Sequence, residues 1–131
     1  MVRIFKSERF HKLARKEKID DEDLIKAIKE VESGLFDADL GGQVYKKRLA
    51  RKGQGKRGGY RTIILFKKGD KAFFAYGFPK NEKANITDQE KEDFKELAKI
   101  LLKLSDEQLL ELINDEQYYE IVEEVEDDEK I

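Results

Sequence analysis

The stretch Tyr60-Arg-Thr-Ile-Ile-Leu-Phe-Lys-Lys-Gly-Asp-Lys-Ala-Phe-Phe-Ala-Tyr-Gly-Phe78 decides the fold of this 131-residue chain. β-Branched and aromatic residues dominate both of its halves, and Gly69-Asp70 between lysines is typical of a tight turn. The pattern predicts two strands, Tyr60–Lys67 and Lys71–Phe78, and Pro79 ends the second because proline lacks a backbone donor. A further strand is predicted upstream, over Gln43–Ala50. Since the connections are short, we expect the three strands to pair antiparallel.

Helical patterns precede these strands. Ser7 can cap a helix that runs from Glu8 to about Lys18. A second helix begins at Asp20 or Asp21 and carries apolar residues at helical spacing, with a glycine near residue 34 where a helix commonly ends. The two helices are expected to form a hairpin that lies on the sheet.

Two capping boxes follow the strands. Thr87-Asp-Gln-Glu90 and Ser105-Asp-Glu-Gln108 each predict the start of a helix, because the first and fourth side chains can satisfy each other's backbone amides. A late strand is possible over Tyr118–Val125. We therefore predict an α+β fold, with two N-terminal helices packed on a small antiparallel sheet (three or four strands) and one or two C-terminal helices. Residues 1–131 are expected to form a single domain, with a core over about 3–113 and an acidic C-terminal extension over about 114–131.

Charge is distributed unevenly along the chain. From residue 40 to residue 69 there are ten Lys/Arg and no Asp or Glu, whereas the net charge of the whole chain is only −2. Residues 1–83 hold 22 Lys/Arg and 12 Asp/Glu, and residues 84–131 hold 5 and 17. A strand pair with this much positive charge repels itself, so the pattern indicates contact with a polyanion. The acidic end is either a solvated tail, a segment that folds back on the basic hairpin, or an edge strand for a partner.

Strand alternation divides these cations between two faces. Lys46 and Arg48 share one face of the first strand, and Arg61 lies on the corresponding side of the second. With Lys80, just after the third strand, they can converge on one sheet face, bind a phosphate and stabilise extra negative charge on it. Arg61 is the most informative of the four, because an arginine in an apolar strand is costly unless it faces a groove or a partner. Further candidate RNA contacts are Lys47, Arg51, Lys52, Lys56, Arg57, Tyr60 and Asn81.

Other chemistries lack the necessary residues. The loop Gly53-Gln-Gly-Lys-Arg-Gly58 matches G-x-G-x-x-G, but a strand follows it where a dinucleotide site requires a helix. With no Cys and a single His, His11, a zinc site is not expected, and we predict no metal and no small-molecule cofactor. No signal-peptide pattern or membrane-length apolar run is present, so the expected location is the cytoplasm, with no membrane partner.

The ordered set of motifs resembles a known family. Val44-Tyr-Lys-Lys-Arg-Leu49, Gly58-Gly-Tyr-Arg-Thr62 and Tyr76-Gly-Phe-Pro-Lys-Asn-Glu82, between two N-terminal helices and a C-terminal helix, resemble the RelE/ParE toxin superfamily, and within it the RelE/HigB-type toxins of type II toxin–antitoxin systems. The resemblance covers about residues 3–113. It implies a toxin that inhibits translation as an mRNA interferase, an endoribonuclease that cuts mRNA in the ribosomal A site without metal, by attack of a 2′-hydroxyl on the neighbouring phosphate. It also implies a cognate antitoxin as partner.

The resemblance assigns roles to individual positions. Lys46 and Arg48 match the basic pair of the first strand, and Arg61 matches the arginine that acts on the scissile phosphate. Lys80 and Asn81 stand where many members have a Lys-Arg pair, so Asn81 departs from the pattern. Ile86 and Thr87 stand where some members carry a late tyrosine, and Lys46 is therefore our hypothesis for the general base. Two alternatives stay open: a ParE-like inhibitor of DNA gyrase, and a non-catalytic RNA-binding module with the same basic face.

Overall fold

The computed structural model describes residues 2–50, 59–83 and 85–122. The predicted loop cations Arg51, Lys52, Lys56 and Arg57 lie outside the described residues. In chain order the elements are β1 (Arg3–Ser7), α1 (Glu8–Glu17), α2 (Asp21–Glu32), β2 (Ala38–Gly41), β3 (Val44–Leu49), β4 (Tyr60–Lys67), β5 (Lys71–Pro79), α3 (Asp88–Leu101), α4 (Asp106–Asn114) and β6 (Tyr118–Ile121).

The strands form one six-stranded mixed sheet in the order β2-β3-β4-β5-β1-β6. β1 runs parallel to β5, and the other neighbours are antiparallel. The expectation of a small antiparallel sheet of three or four strands is therefore wrong. β1 was not predicted because its sequence does not alternate between apolar and polar residues. Ile4, Phe5 and Lys6 are all buried, since β1 lies between two neighbouring strands. β2 has no strand pattern in the sequence, because it has only four residues and its last residue, Gly41, begins a Gly-Gly pair.

Each face of the sheet supports a helix pair. α1 and α2 pack on one face, in a core with Phe10, Leu24, Ile64 and Phe74. α3 and α4 pack on the other, in a core with Phe5, Leu65, Phe73, Leu101 and Leu109. The adjacent pairs Leu65/Phe66 and Phe73/Phe74 divide between the two cores, as strand alternation requires. The sheet is thus a central layer, and a side chain reaches solvent only where the helices leave a face uncovered.

The predicted starts of α1, α3 and α4 are confirmed by their caps, and α2 begins at Asp21, within the predicted range. The Ser7 side chain accepts a hydrogen bond from the Phe10 amide at the start of α1. Both capping boxes form, Thr87 with Glu90 and Ser105 with Gln108. Within the part of the chain that the structure describes, no helix has the length and apolar character needed to cross a membrane.

A β-bulge interrupts the pairing of β4 with β5. Ile63 lies opposite Tyr76 but Ile64 lies opposite Phe74, so Ala75 is an extra residue in β5. Ala75 and Tyr76 consequently both face the α3–α4 core, although they are consecutive. The bulge reverses the alternation for the rest of β5. Tyr76 and Phe78 therefore turn to the same face as Ile63 and Arg61.

Candidate functional site

Three cations share the end of one sheet face. We call Lys46, Arg48 and Arg61 the cationic face. In the β3–β4 register Lys46 is opposite Ile63 and Arg48 is directly opposite Arg61. Since Ile63 belongs to the α3–α4 core, the three cations lie on that side of the sheet. The register of β3 with β4 therefore places these three residues on one face, as strand alternation predicts.

Arg61 stands at the centre of this face. It is half-buried, with Arg48 opposite it on β3 and Phe78 opposite it on β5. Its Nε is buried and donates to no group of the described residues. A buried N–H without an acceptor is unfavourable by about 1–3 kcal/mol. A bound phosphate would supply acceptors in the planar, bidentate arrangement that guanidinium groups favour.

Among the described residues, the side chains of the cationic face form no ion pair, although the Asp37 carboxylate accepts a hydrogen bond from the Arg48 backbone amide. Lys46 Nζ lies 3.4 Å from the amide oxygen of Asn85, which is neutral. Neither Arg48 nor Arg61 forms an ion pair with any Asp or Glu of residues 2–50, 59–83 and 85–122. Arg48 also borders an open cleft of about 280 Å³ whose lining includes Glu17, Asp23 and Glu30, and Glu30 pairs with Lys47 at 3.1 Å. The end of the sheet therefore has carboxylates nearby, but none is ion-paired with Arg48 or Arg61 among the described residues.

Several cations elsewhere in the described chain are ion-paired. Lys6 contacts Asp21 at 3.2 Å, Arg3 contacts Glu120 at 2.9 Å, and Lys99 contacts Glu96 at 3.0 Å. Exposed pairs such as Lys99 with Glu96 contribute little to stability, typically about 0–1 kcal/mol, but they reduce the local positive charge.

Aromatic rings continue the site onto β5. Tyr76 stacks on Phe94 of α3, with ring centres 5.8 Å apart, and lies 5.4 Å from Phe78. The Arg9 guanidinium carbon, from the first turn of α1, lies 4.8 Å from the Tyr76 ring centre. Lys83 Nζ lies 5.4 Å from the same ring. Arg9 and Lys83 were not among the predicted site residues, because the bulge that turns Tyr76 toward them leaves no signal in the sequence.

Lys83 is held by the cap of α3. Its Nζ donates to both carboxylate oxygens of Glu90, at 2.8 and 2.9 Å, and Glu90 also accepts from the Thr87 amide. The hydrogen bond to Glu90 raises the pKa of Lys83, and the hydrogen bonds from Lys83 and Thr87 lower the pKa of Glu90. Both groups therefore stay charged, and Lys83 positions the segment before α3 with its charge compensated.

Two predicted contacts lie on the other face. Tyr60 is 1% exposed in the α1–α2 core, and its hydroxyl donates to Glu17 at 2.6 Å. Lys47 donates to the Leu35 carbonyl and pairs with Glu30 of α2. Neither residue can reach a ligand on the cationic face, so both are left out of the site proposed below.

Lys80 and Asn81 are exposed just after β5. The Lys80 amide donates to the Gly59 carbonyl at 2.9 Å, which places Lys80 beside the start of β4 and therefore at the same end of the sheet as Arg61. Among the described residues no carboxylate pairs with Lys80. His11 lies on the opposite face, stacked on Tyr119 at 3.9 Å, and no group of three His, Asp or Glu in the described ranges is arranged to hold a metal ion.

Fold and surface together define a class of protein: a small domain with helix pairs on both faces of a six-stranded mixed sheet, and a cationic face beside aromatic rings. The family model described as "RelE toxin of RelE / RelB toxin-antitoxin system" matches residues 2–121. The chain therefore belongs to the RelE toxin family, whose members pair with an antitoxin. No curated protein sequence matches the chain significantly.

Proposed function

We propose that this toxin is a metal-independent mRNA endoribonuclease that inhibits translation, acting in the ribosomal A site. The observation that supports it most is the buried, unsatisfied Nε of Arg61. In addition, the guanidinium groups of Arg48 and Arg61 form no ion pair among the described residues, although the Asp37 carboxylate accepts from the Arg48 backbone amide. Such a face binds the RNA backbone by charge and can stabilise additional charge as the phosphate reacts. Membership of the RelE family supports the same activity.

The proposed reaction uses the 2′-hydroxyl of the RNA as nucleophile. Its oxygen bonds to the adjacent phosphorus to form a 2′,3′-cyclic phosphate, and the bond from phosphorus to the next 5′-oxygen breaks. The 5′-oxygen keeps the electron pair and takes a proton from water. Lys46, as the neutral amine, takes the proton of the 2′-hydroxyl and later returns it to the hydroxide. Arg48 and Lys80 contact phosphate oxygens, and Arg61 stabilises the charge that builds up in the transition state. Arg61 has this role because it lies at the centre of the face, between β3 and β5.

Induced expression in a growing culture, followed by primer extension on cellular transcripts, tests the proposal. The wild-type toxin should give cuts in phase with codons. Arg61→Ala should reduce cutting by roughly 10²-fold or more, because it removes a preorganised donor to the developing charge. Arg15→Ala, an exposed arginine in the last turn of α1, is the matched control and should cut like the wild type.

Four outcomes would contradict the proposal or one of its parts. Full cutting by Arg61→Ala would remove Arg61 from the active site, and full cutting by Lys46→Ala would remove Lys46 as the base. Gyrase-linked DNA damage with intact mRNA would support the ParE-like alternative instead. Intact mRNA and intact DNA, with RNA still bound, would leave a non-catalytic RNA-binding module.

We also propose that the partner is a cognate antitoxin, in addition to mRNA and the ribosome.

A further inference from the structure

Arg9 occupies an unusual position for a surface arginine. Its guanidinium lies over the Tyr76 ring at 4.8 Å, and among the described residues it has neither a carboxylate partner nor a hydrogen-bond acceptor. Lys83 approaches the same ring but is neutralised by Glu90. Arg9 is thus a cation beside Tyr76 that has neither an ion pair nor a hydrogen-bond acceptor among the described residues.

Arg9 is connected to the cationic face through adjoining aromatic rings. Tyr76 and Phe78 are 5.4 Å apart, and Phe78 lies directly opposite Arg61 on β4. Facing side chains on neighbouring strands have Cβ atoms about 5 Å apart, so the path from Arg9 over the two rings to Arg61 is on the order of 20 Å. The cations therefore form a track across the strands, from Lys46 and Arg48 on β3, past Arg61 on β4, to Arg9 beyond β5. This length suits a few nucleotides of single-stranded RNA.

We propose that Arg9, whose guanidinium lies over the Tyr76 ring, binds a backbone phosphate flanking the scissile one, so that the RNA strand runs across β3, β4 and β5 from the cationic face to the first turn of α1. The proposal rests on the RNA-cleaving function proposed above. The cation–π contact with Tyr76 restrains the guanidinium without using its N–H groups, so those groups can donate to an anion. The bulge at Ala75 makes this possible, since it turns Tyr76 to the site face.

Salt-dependent binding of an uncleavable RNA tests the role of Arg9. The probe is a short single-stranded oligonucleotide of mixed sequence with 2′-O-methyl groups throughout, which blocks the nucleophile, and the readout is fluorescence anisotropy over a series of KCl concentrations. Arg9→Met keeps the apolar stem of the side chain but removes its charge and donors. It should weaken binding roughly tenfold, the effect of one charged hydrogen bond. Its plot of log affinity against log salt should be shallower by about 0.7, the value for one phosphate contact on a single strand.

Two controls separate phosphate binding from a structural role. Arg15→Met, on the same helix, should change neither affinity nor salt dependence, and the thermal unfolding of Arg9→Met should match that of the wild type. Shortening the oligonucleotide should abolish the difference between wild type and Arg9→Met, because the flanking phosphate is then absent. Arg9→Lys, which restores the charge, should recover most of the salt dependence.

The outcomes distinguish this proposal from the one on which it rests. If the wild-type protein binds the oligonucleotide and Arg9→Met binds it with the same affinity and salt dependence, the role of Arg9 is refuted while the proposed activity stands. An Arg9 effect that persists on the shortest oligonucleotide would also refute a flanking-phosphate contact. If the wild-type protein shows no salt-dependent binding of any oligonucleotide, the Arg9 contact is refuted, while the proposed activity is decided separately by the codon-phased cuts in cells.

Discussion

At the scale of single residues, burial lowers the pKa of His11. Its Nδ1 is buried without a hydrogen-bond partner in the described chain, and its ring stacks on Tyr119 of β6 at 3.9 Å. Desolvation is the largest cause that lowers the pKa of His11 below its ordinary value of 6.5, and the charges of Lys6 on β1 and Arg15 on α1 add to it. Asp21 of α2 opposes the shift. The fold therefore prefers the neutral imidazole.

This preference predicts that stability depends on pH through His11. A histidine with a lowered pKa contributes its full stability above the unfolded value, near 6.5, and loses it as the pH falls through the folded value. Urea denaturation at pH values on both sides of 6.5 should show the wild type losing more stability on acidification than His11→Gln. The same pH dependence in both proteins would show that His11 titrates alike in the folded and unfolded chain.

At the scale of elements, the bulge in β5 needs a glycine beside it. Tyr76 and Phe78 turn to the site face, so residue 77 between them points toward α1. A Cβ added at Gly77 would lie 2.7 Å from Cε2 of the Phe10 ring and 3.0 Å from Cδ2 of Leu13. Glycine thus lets α1 lie directly on the strand. It also brings the first turn of α1, with Arg9, close to Tyr76.

We expect Gly77→Ala to destabilise the fold by about 1–3 kcal/mol, the usual cost of overpacking a core. The free energy of unfolding measured in urea checks this value. The matched background is Phe10→Leu, which removes the ring atom nearest to the added methyl group. Gly77→Ala should be less destabilising in that background than alone. If Gly77→Ala lowers the free energy of unfolding equally in the wild type and in Phe10→Leu, the strain does not arise from contact with the Phe10 ring.

At the scale of the whole molecule, the two ends of the chain carry opposite charge. The net charge of −2 conceals a strongly basic first part and an acidic end, and residues 123–131 alone carry six carboxylates and one lysine. β6, over Tyr118–Ile121, pairs with β1 and belongs to the sheet. A truncation that tests the acidic end must therefore keep β6 and remove only residues 123–131.

That truncation should increase the affinity for the 2′-O-methyl oligonucleotide at low salt, because it removes negative charge that competes for the cationic face. Electrostatic effects of this kind are screened over about 10 Å at 0.1 M salt, so the gain should disappear as KCl rises. Anisotropy titrations of the full chain and the truncated chain make the comparison. Equal affinities at low salt would mean that the acidic end does not shield the face.

Local signals in the sequence were sufficient for the helices and central strands. The start of α1 at Ser7, both capping boxes and the β3–β4–β5 meander were predicted because each depends on residues a few positions apart. The shared face of Lys46, Arg48 and Arg61 followed from alternation, which is also a local rule. The RelE family model, which matches residues 2–121, also agrees with the resemblance that the motifs indicated.

What the sequence alone determined is therefore the set of main elements and the sign of the charge on one sheet face. The tertiary structure decided that β1 inserts parallel to β5, because that pairing joins segments almost 70 residues apart and leaves no periodicity in either. It also decided that Tyr60 is buried and that Tyr76 faces the site. A one-residue bulge reverses the alternation of a strand, and only the packing of β4 and β5 reveals it. The placement of Arg9 over Tyr76 depends on that bulge, so it could be found only in the folded chain.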